Sequence, residues 1–223
     1  MDKCFELLES KKEKFELFKE LLIEYNEKCN LTSIIDDKEV FIKHFYDSIA
    51  PSAYFKEGAE VAEIGSGGGF PSVPLMIARE DLSFTLIEST GKKCVFLRQV
   101  VDKLKLNCKN VLNIRAEDGA VDNSLREKFD AVTARAVAKL ATLAEYCLPY
   151  VKVGGVFIAY KSESEDLNEA ENAIKILGGK TQEIFSYELP YGMGKRRAVI
   201  IKKVCATPLK YPRGNGKERK NPL

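Results

Sequence analysis

The chain has 223 residues, 45% of them hydrophobic, which suits one α/β domain with an added element rather than several large domains. No run of 18 apolar residues and no apolar signal-peptide core occurs, so a cytoplasmic protein without membrane contact is expected. The net charge of +2 is uneven: Lys195–Leu223 carries ten Lys/Arg and one acid, Glu218, against 25 basic and 32 acidic residues before it, a pattern that points to a polyanion contact at the basic end. The six cysteines form no CxxC pair and His44 is the one histidine, so reduced thiols and no metal site are expected; a monomer is the expected state.

In chain order, residues 2–29 read as one amphipathic helix, with Leu8, Phe15, Phe18, Leu22, Tyr25 and Cys29 on a single stripe. Asp36 or Asp37 can cap a second helix patterned by Val40, Phe41, Phe45 and Ile49. From residue 59 the chain alternates. Strands are predicted over 59–64, 83–87, 110–114, 129–133 and 156–160, the last introduced by Gly154-Gly155. Helices are predicted over 71–78, 92–103, 138–149 and 168–177. Two further runs, 181–189 and 197–204, are separated only by Tyr191–Arg196 and read as a hairpin. This pattern predicts a Rossmann-like, mostly parallel seven-stranded sheet covered on both faces, with an antiparallel terminal hairpin and extra N-terminal helices. The expected divisions are a helical extension over 1–57, an α/β core over 58–205 and a basic, loop-like tail over 206–223.

The chemistry concentrates after the first strand. Glu63-Ile64 is followed by Gly65, Ser66, Gly67, Gly68 and Gly69, then Phe70-Pro71. In an open α/β sheet the first strand–helix turn is the usual ligand contact. Phe70 occupies the place of the third glycine of a dinucleotide fingerprint, which argues against NAD, and no P-loop Lys-Ser/Thr follows. The spacing suits a ligand without a pyrophosphate. Glu63 can accept from an α-ammonium. Glu88 ends the second strand, where a carboxylate can take ribose hydroxyls. Ala116-Glu117, after the third strand, can flank an adenine. An amino acid, a ribose and an adenine together make S-adenosylmethionine the expected cofactor.

These residues carry a resemblance. Asn30-Leu31-Thr32, Lys43-His44-Phe45-x-Asp47-Ser48, Glu63–Pro71, Arg115-Ala116-Glu117, Thr133–Ala138, Tyr146–Pro149 and the closing Tyr211-Pro212-Arg213 and Asn221-Pro222-Leu223 resemble the bacterial 16S ribosomal RNA guanine-N7 methyltransferases, also called glucose-inhibited division protein B. The resemblance implies a class I methyltransferase fold, and as substrate the 16S ribosomal RNA, the 30S subunit or an assembly intermediate. It aligns Gly65, Phe70, Ala116, Glu117 and Arg135 with cofactor-site positions, and Glu88, Ser89 and Thr90 with the ribose region. Ser72 stands where that family more often has glycine. Ser66, Gly67 and Gly69 complete the expected cofactor set.

Guanine N7 carries a lone pair and no proton, so positioning replaces a general base, and no catalytic side chain is assigned. His44 reads as structural or substrate-positioning. Arg196, Arg197, Lys202, Lys203, Lys210, Arg213, Lys217, Arg219 and Lys220 are the expected phosphate contacts, with Tyr191 and Tyr211 as candidates for base stacking. A class I methyltransferase acting on another RNA, a protein or a small molecule stays open from the residues alone.

Overall fold

A computed structural model describes residues 2–223. Five parallel strands, β1 (Glu60–Ile64), β2 (Ser83–Glu88), β3 (Cys108–Asn113), β4 (Phe129–Arg135) and β5 (Val151–Ser162), are followed by β6 (Gly179–Glu188) and β7 (Lys195–Lys203). They form one seven-stranded sheet in the order β3-β2-β1-β4-β5-β7-β6. β7 lies antiparallel between β5 and β6. The chain runs outward from β1 to β3 and returns to the other side of β1 as β4. The strand order therefore reverses beside β1, which opens a crevice at the carboxyl ends of β1 and β4. The expected sheet, with its antiparallel hairpin, is the one observed.

Alternation along the strands supplies two apolar faces. Val61, Phe84, Leu86, Ala131 and Ile158 face the N-terminal helices and the helices Ser72–Ala78 and Gly91–Leu104. Ala62, Ile64, Val132, Phe157 and Ile201 face the helices Leu140–Cys147 and Glu171–Ile176. No helix among the described residues is long and apolar enough to cross a membrane.

The N-terminal segment departs from the single expected helix. Lys11 takes a non-helical conformation (φ −121°, ψ 22°) and divides Lys3–Ser10 from Lys12–Cys29. The break lets both pieces bury their stripes: Leu8 belongs to the first, and Phe15, Phe18 and Leu22, all fully buried, to the second. Asp36 is the cap of the next helical stretch, 37–49, accepting from Glu39 N. Within it, Val40–Tyr46 is wound as a π-helix, a wider turn that changes which side chains share a face.

Two further boundaries shift for a visible reason. β5 starts at Val151, so Gly154-Gly155 lies inside it at a register shift against β4 rather than before it. A Cβ on Gly155 would stand 2.7 Å from the Asp130 carbonyl oxygen, a close approach that only glycine permits. The expected loop-like tail is instead packed down. Thr207, Tyr211 and Glu218 are buried, and Arg126 donates to the carbonyls of Thr207 and Tyr211.

Candidate functional site

At the carboxyl end of β1 the backbone must turn back over its own strand. Gly65 does so at φ +73°, and Gly65 N and Ser66 N both donate to Ile87 O of β2. A Cβ on Gly65 would meet Val137 Cγ2 at 2.7 Å, and one on Gly69 (φ +85°) would meet Val73 Cγ2 at 2.6 Å. Both positions thus need glycine for conformation and for space.

Glu88, at the end of β2, faces this turn. Its carboxylate accepts from Gly67 N at 2.9 Å and Thr90 N at 2.7 Å. A carboxylate has about four acceptor positions, so two remain for hydroxyl donors. Leu31, Thr32, Gly65–Gly68, Glu88–Thr90 and Ala136-Val137 border a cleft of about 510 Å³ here. A slot of about 370 Å³ joins it through Gly65, Ser89 and Val137. Ile64, Ile87, Ile114 and Ala116 make the slot apolar, and Glu117 gives it a polar rim. Tyr146, Gly216 and Arg219 also line it.

Several expected assignments change. Glu63 does not line the cleft. It is fully buried, and its carboxylate accepts from Ser72 Oγ at 2.5 Å and Ser72 N at 3.3 Å. Burial raises its carboxyl to about 7, against the opposing hydrogen bonds from Ser72 and Ser66. Its place is beneath the turn, where it ties β1 to the helix Ser72–Ala78. Ser72, the departure from the resembled family, is its partner.

Phe70 does border the cleft, but it is mostly buried and its ring is also the seat of the N-terminal segment. His44 stacks on it at 4.2 Å between centroids, and Phe18 packs at 5.4 Å. Arg135, at the end of β4, also lies over this ring, 4.9 Å from its centroid. The Arg135 guanidinium donates to Lys43 O, to Asp47 Oδ2 at 2.9 Å and to His44 Nδ1 at 2.8 Å. Guanidinium has no acceptor, so His44 Nδ1 is unprotonated and its Nε2–H donates to Thr32 Oγ1 at 2.8 Å. Burial first, and then the Arg135 charge, push the imidazole down to about 3. His44 is a neutral strut. Asp47 is buried as well, accepting from Tyr187 Oη at 2.8 Å with Arg196 Nε 3.9 Å away.

Behind this strut lies a second cavity of about 360 Å³. It shares His44, Arg135 and Ala136 with the first cleft and is completed by Lys43, Tyr160, Lys161, Glu165 and Arg196. Ala136, at the junction, takes φ +58°, a left-handed conformation uncommon outside glycine. Lys161 is buried, donating to Ala138 O at 2.6 Å and paired with Glu165 at 3.0 Å.

The expected phosphate contacts separate. Lys203 is buried, with Nζ on Leu148 O and Thr207 Oγ1 and 3.2 Å from Glu127. Its charge is used inside the fold. Arg213 is held by the buried carboxylate of Glu145 at 2.7 Å. Lys202 donates to Gly154 O at the opposite end of the sheet from the cleft, and Arg219 lines the slot. Arg196 borders the second cavity, Arg197 is half-buried beside it on β7, and Lys210, Lys217 and Lys220 are exposed on the tail. Tyr211 is buried while Tyr191 is 68% exposed. Thr32, Asp47 and Val137 had stood in motifs without a role. Lys161, Glu165 and Gly216 carry no local sequence signal at all.

The strand order and the glycine turn at its reversal define a Rossmann-like methyltransferase fold. The backbone is similar to a SAM-dependent methyltransferase from Aquifex aeolicus, with a TM-score of 0.56 and 16% identity over 76% of this chain and 94% of that one. The family described as rRNA small subunit methyltransferase G matches residues 11–195. The chain is 46% identical over 222 residues to ribosomal RNA small subunit methyltransferase G of Staphylococcus aureus, covering 98% of this chain and 92% of that protein. It is 42% identical over 225 residues to the protein of that name from Lactobacillus acidophilus, covering 98% and 94%. The chain belongs to the rRNA small subunit methyltransferase G family.

Proposed function

We propose that the protein methylates N7 of one guanine in 16S ribosomal RNA, using S-adenosylmethionine. The observation that carries this reading is the pair of cavities meeting at Arg135, His44 and Ala136, where the histidine is held at both ring nitrogens and the carboxylates of Asp47 and Glu165 are paired with Arg135 and Lys161. The first cavity fits the cofactor. The Gly65 turn admits close backbone approach, the free acceptor positions of Glu88 suit ribose hydroxyls, and the Ile64–Ile87–Ile114–Ala116 slot suits a flat purine. Bound there, S-adenosylmethionine supplies a methyl group on a cationic sulfur, which a lone pair can take in line.

The protein's own part is to orient and to exclude water. His44 cannot serve as a base at neutral pH, because its Nδ1 lone pair is committed to Arg135 and its Nε2–H to Thr32. An N7 acceptor has no proton to lose, so a site whose histidine and carboxylates are already engaged is sufficient for it. A hydroxyl acceptor would be helped by a free base. Arg196 and the exposed Lys210, Lys217 and Lys220 supply positive charge for the RNA backbone.

Purified protein, labelled S-adenosylmethionine and small ribosomal subunits from cells lacking the enzyme test this. Borohydride reduction and aniline cleavage followed by primer extension should stop at a single guanine. Methyl incorporation without a cleavable position would overturn the N7 assignment.

A further inference from the structure

Helix 37–49 and the β6–β7 hairpin meet twice. Inside, Asp47 accepts from Tyr187 and lies near Arg196. Further out, Lys38 Nζ sits 3.9 Å from the centre of the Tyr191 ring. Lys43 and Arg196, each five positions further along these two segments, border the second cavity. Lys38 and Tyr191 therefore touch at the outer end of the same helix–hairpin contact whose inner end borders the cavity.

Tyr191 is an unusual residue for its position. It occupies the tip of the turn Pro190–Gly192 at φ 61°, ψ 26°, where glycine or asparagine would be unstrained. It is 68% exposed, so burial does not offset that strain. Strain held at an exposed site points to a contact made there. An exposed tyrosine with a lysine over its ring offers a flat π-surface beside a positive charge. Unpaired nucleotides are bound in this way, the base stacked on the ring and the phosphate beside the cation.

We propose that Tyr191, with Lys38, is a stacking seat for an unpaired base flanking the methyl acceptor in the RNA. The inference rests on the RNA reading above and adds to it a point of contact outside the cavities. Lys195 and Arg196, which follow the turn, extend the positive charge from the seat toward the acceptor cavity.

The chain contains no tryptophan, so Tyr191→Trp creates a single reporter at the seat. Its emission should be quenched by small ribosomal subunits from cells lacking the enzyme and regained after ribonuclease digestion. Tyr191→Ala should raise KM for the subunits about tenfold, with kcat and the Kd for S-adenosylmethionine within about twofold, and Tyr191→Phe should match wild type. A reporter that stays silent while methylation proceeds would overturn the seat, as would an unchanged KM in Tyr191→Ala. Quenching that survives ribonuclease would assign the contact to a ribosomal protein and also overturn it. Should Tyr191→Ala fail to fold, the tryptophan titration decides alone. If wild-type protein transfers no methyl to the subunits, the RNA reading itself fails, and this inference with it.

Discussion

The Nδ1 atom of His44 accepts a hydrogen bond from Arg135 at 2.8 Å, joining the N-terminal helical segment to the end of β4. This bond, with the stacking of both side chains on Phe70, makes the extension part of the site's wall. The two cavities are separated by this assembly, so its integrity bears on both.

Asp47 is the anionic member of the assembly, 4% exposed and bonded to Arg135 at 2.9 Å. Asp47→Ala leaves a buried guanidinium without its charge partner, at a cost of about 3–5 kcal/mol. Thermal unfolding should show a Tm lowered by roughly 10 °C. Asp47→Asn, which keeps an acceptor for Tyr187, should lose less. A drop in Asp47→Ala below about 2 °C would show that Arg135 reaches solvent.

His44 and Glu63 give opposite pH dependences. His44 is lowered from 6.5 to about 3, so its neutral state stabilises the fold above pH 6.5, and that stability is lost as pH falls toward 3. Glu63 is raised from 4.5 to about 7, so the folded state favours its proton, and stability is lost as pH rises from 4.5 to 7. Between about pH 4.5 and 6.5 the two slopes oppose. The Tm advantage of wild type over His44→Gln should shrink as pH falls from 6.5 to 4.5. Glu63→Gln should gain on wild type as pH rises from 4.5 to 7.5, by up to about 3 kcal/mol. Calorimetric scans across this range check both, and parallel curves for wild type and variants would contradict them.

Gly65→Ala forces a Cβ against Val137 at φ +73°. Overpacking of this kind costs about 1–3 kcal/mol, and Val137, which borders both the cleft and the slot proposed for the cofactor, must move. The Kd for S-adenosylmethionine, by isothermal titration, should rise by about tenfold or more, since 1.4 kcal/mol is a factor of ten. Ribosomal RNA affinity should stay within about twofold. Equal losses of both affinities would indicate general unfolding.

Lys203 and Arg196 separate two kinds of basic residue on one strand. Lys203→Met removes one partner of a buried pair and strands Glu127 and Leu148 O, so stability should fall by about 3–5 kcal/mol while the RNA affinity of the folded protein should not change. Arg196→Ala should weaken RNA binding and lower the slope of log Kd against log salt by about one. Filter binding at several salt concentrations measures both variants. A reduced slope for Lys203→Met would contradict its interior position.

The alternation of strand and helix was legible in sequence because periods of two and of about 3.6 leave separate marks. The glycine turn was legible for its backbone, and Glu88 and Ala116-Glu117 for their places at strand ends. Glu63 was misread because sequence shows a strand-end carboxylate but not its depth. Its partner Ser72 could be seen only as a departure from glycine. Lys203 and Arg213 were misread for a related reason: charge density counts side chains whether they face water or a buried acceptor. Their acceptors, Leu148 O and Glu145, lie 55 and 68 positions away. The break at Lys11 carried no mark, since lysine is a good helix former and the cause is the packing of Leu8 and Phe15 on one core.

Gly216 and Arg219 close the slot that Ile64 opens. Ligand binding there therefore reports on the chain from 64 to 219. During synthesis a nascent polypeptide could form β1, β2 and the glycine turn early and still possess an unfinished slot until residues 216–219 emerged. Cleavage between Cys205 and Gly216 would likewise sever the slot from its outer wall, together with the buried Glu218. Competence to hold a ligand in the slot is in this sense a mark of closure: the slot is complete only once the segment around Gly216 has folded back over the ends of β1, β2 and β3.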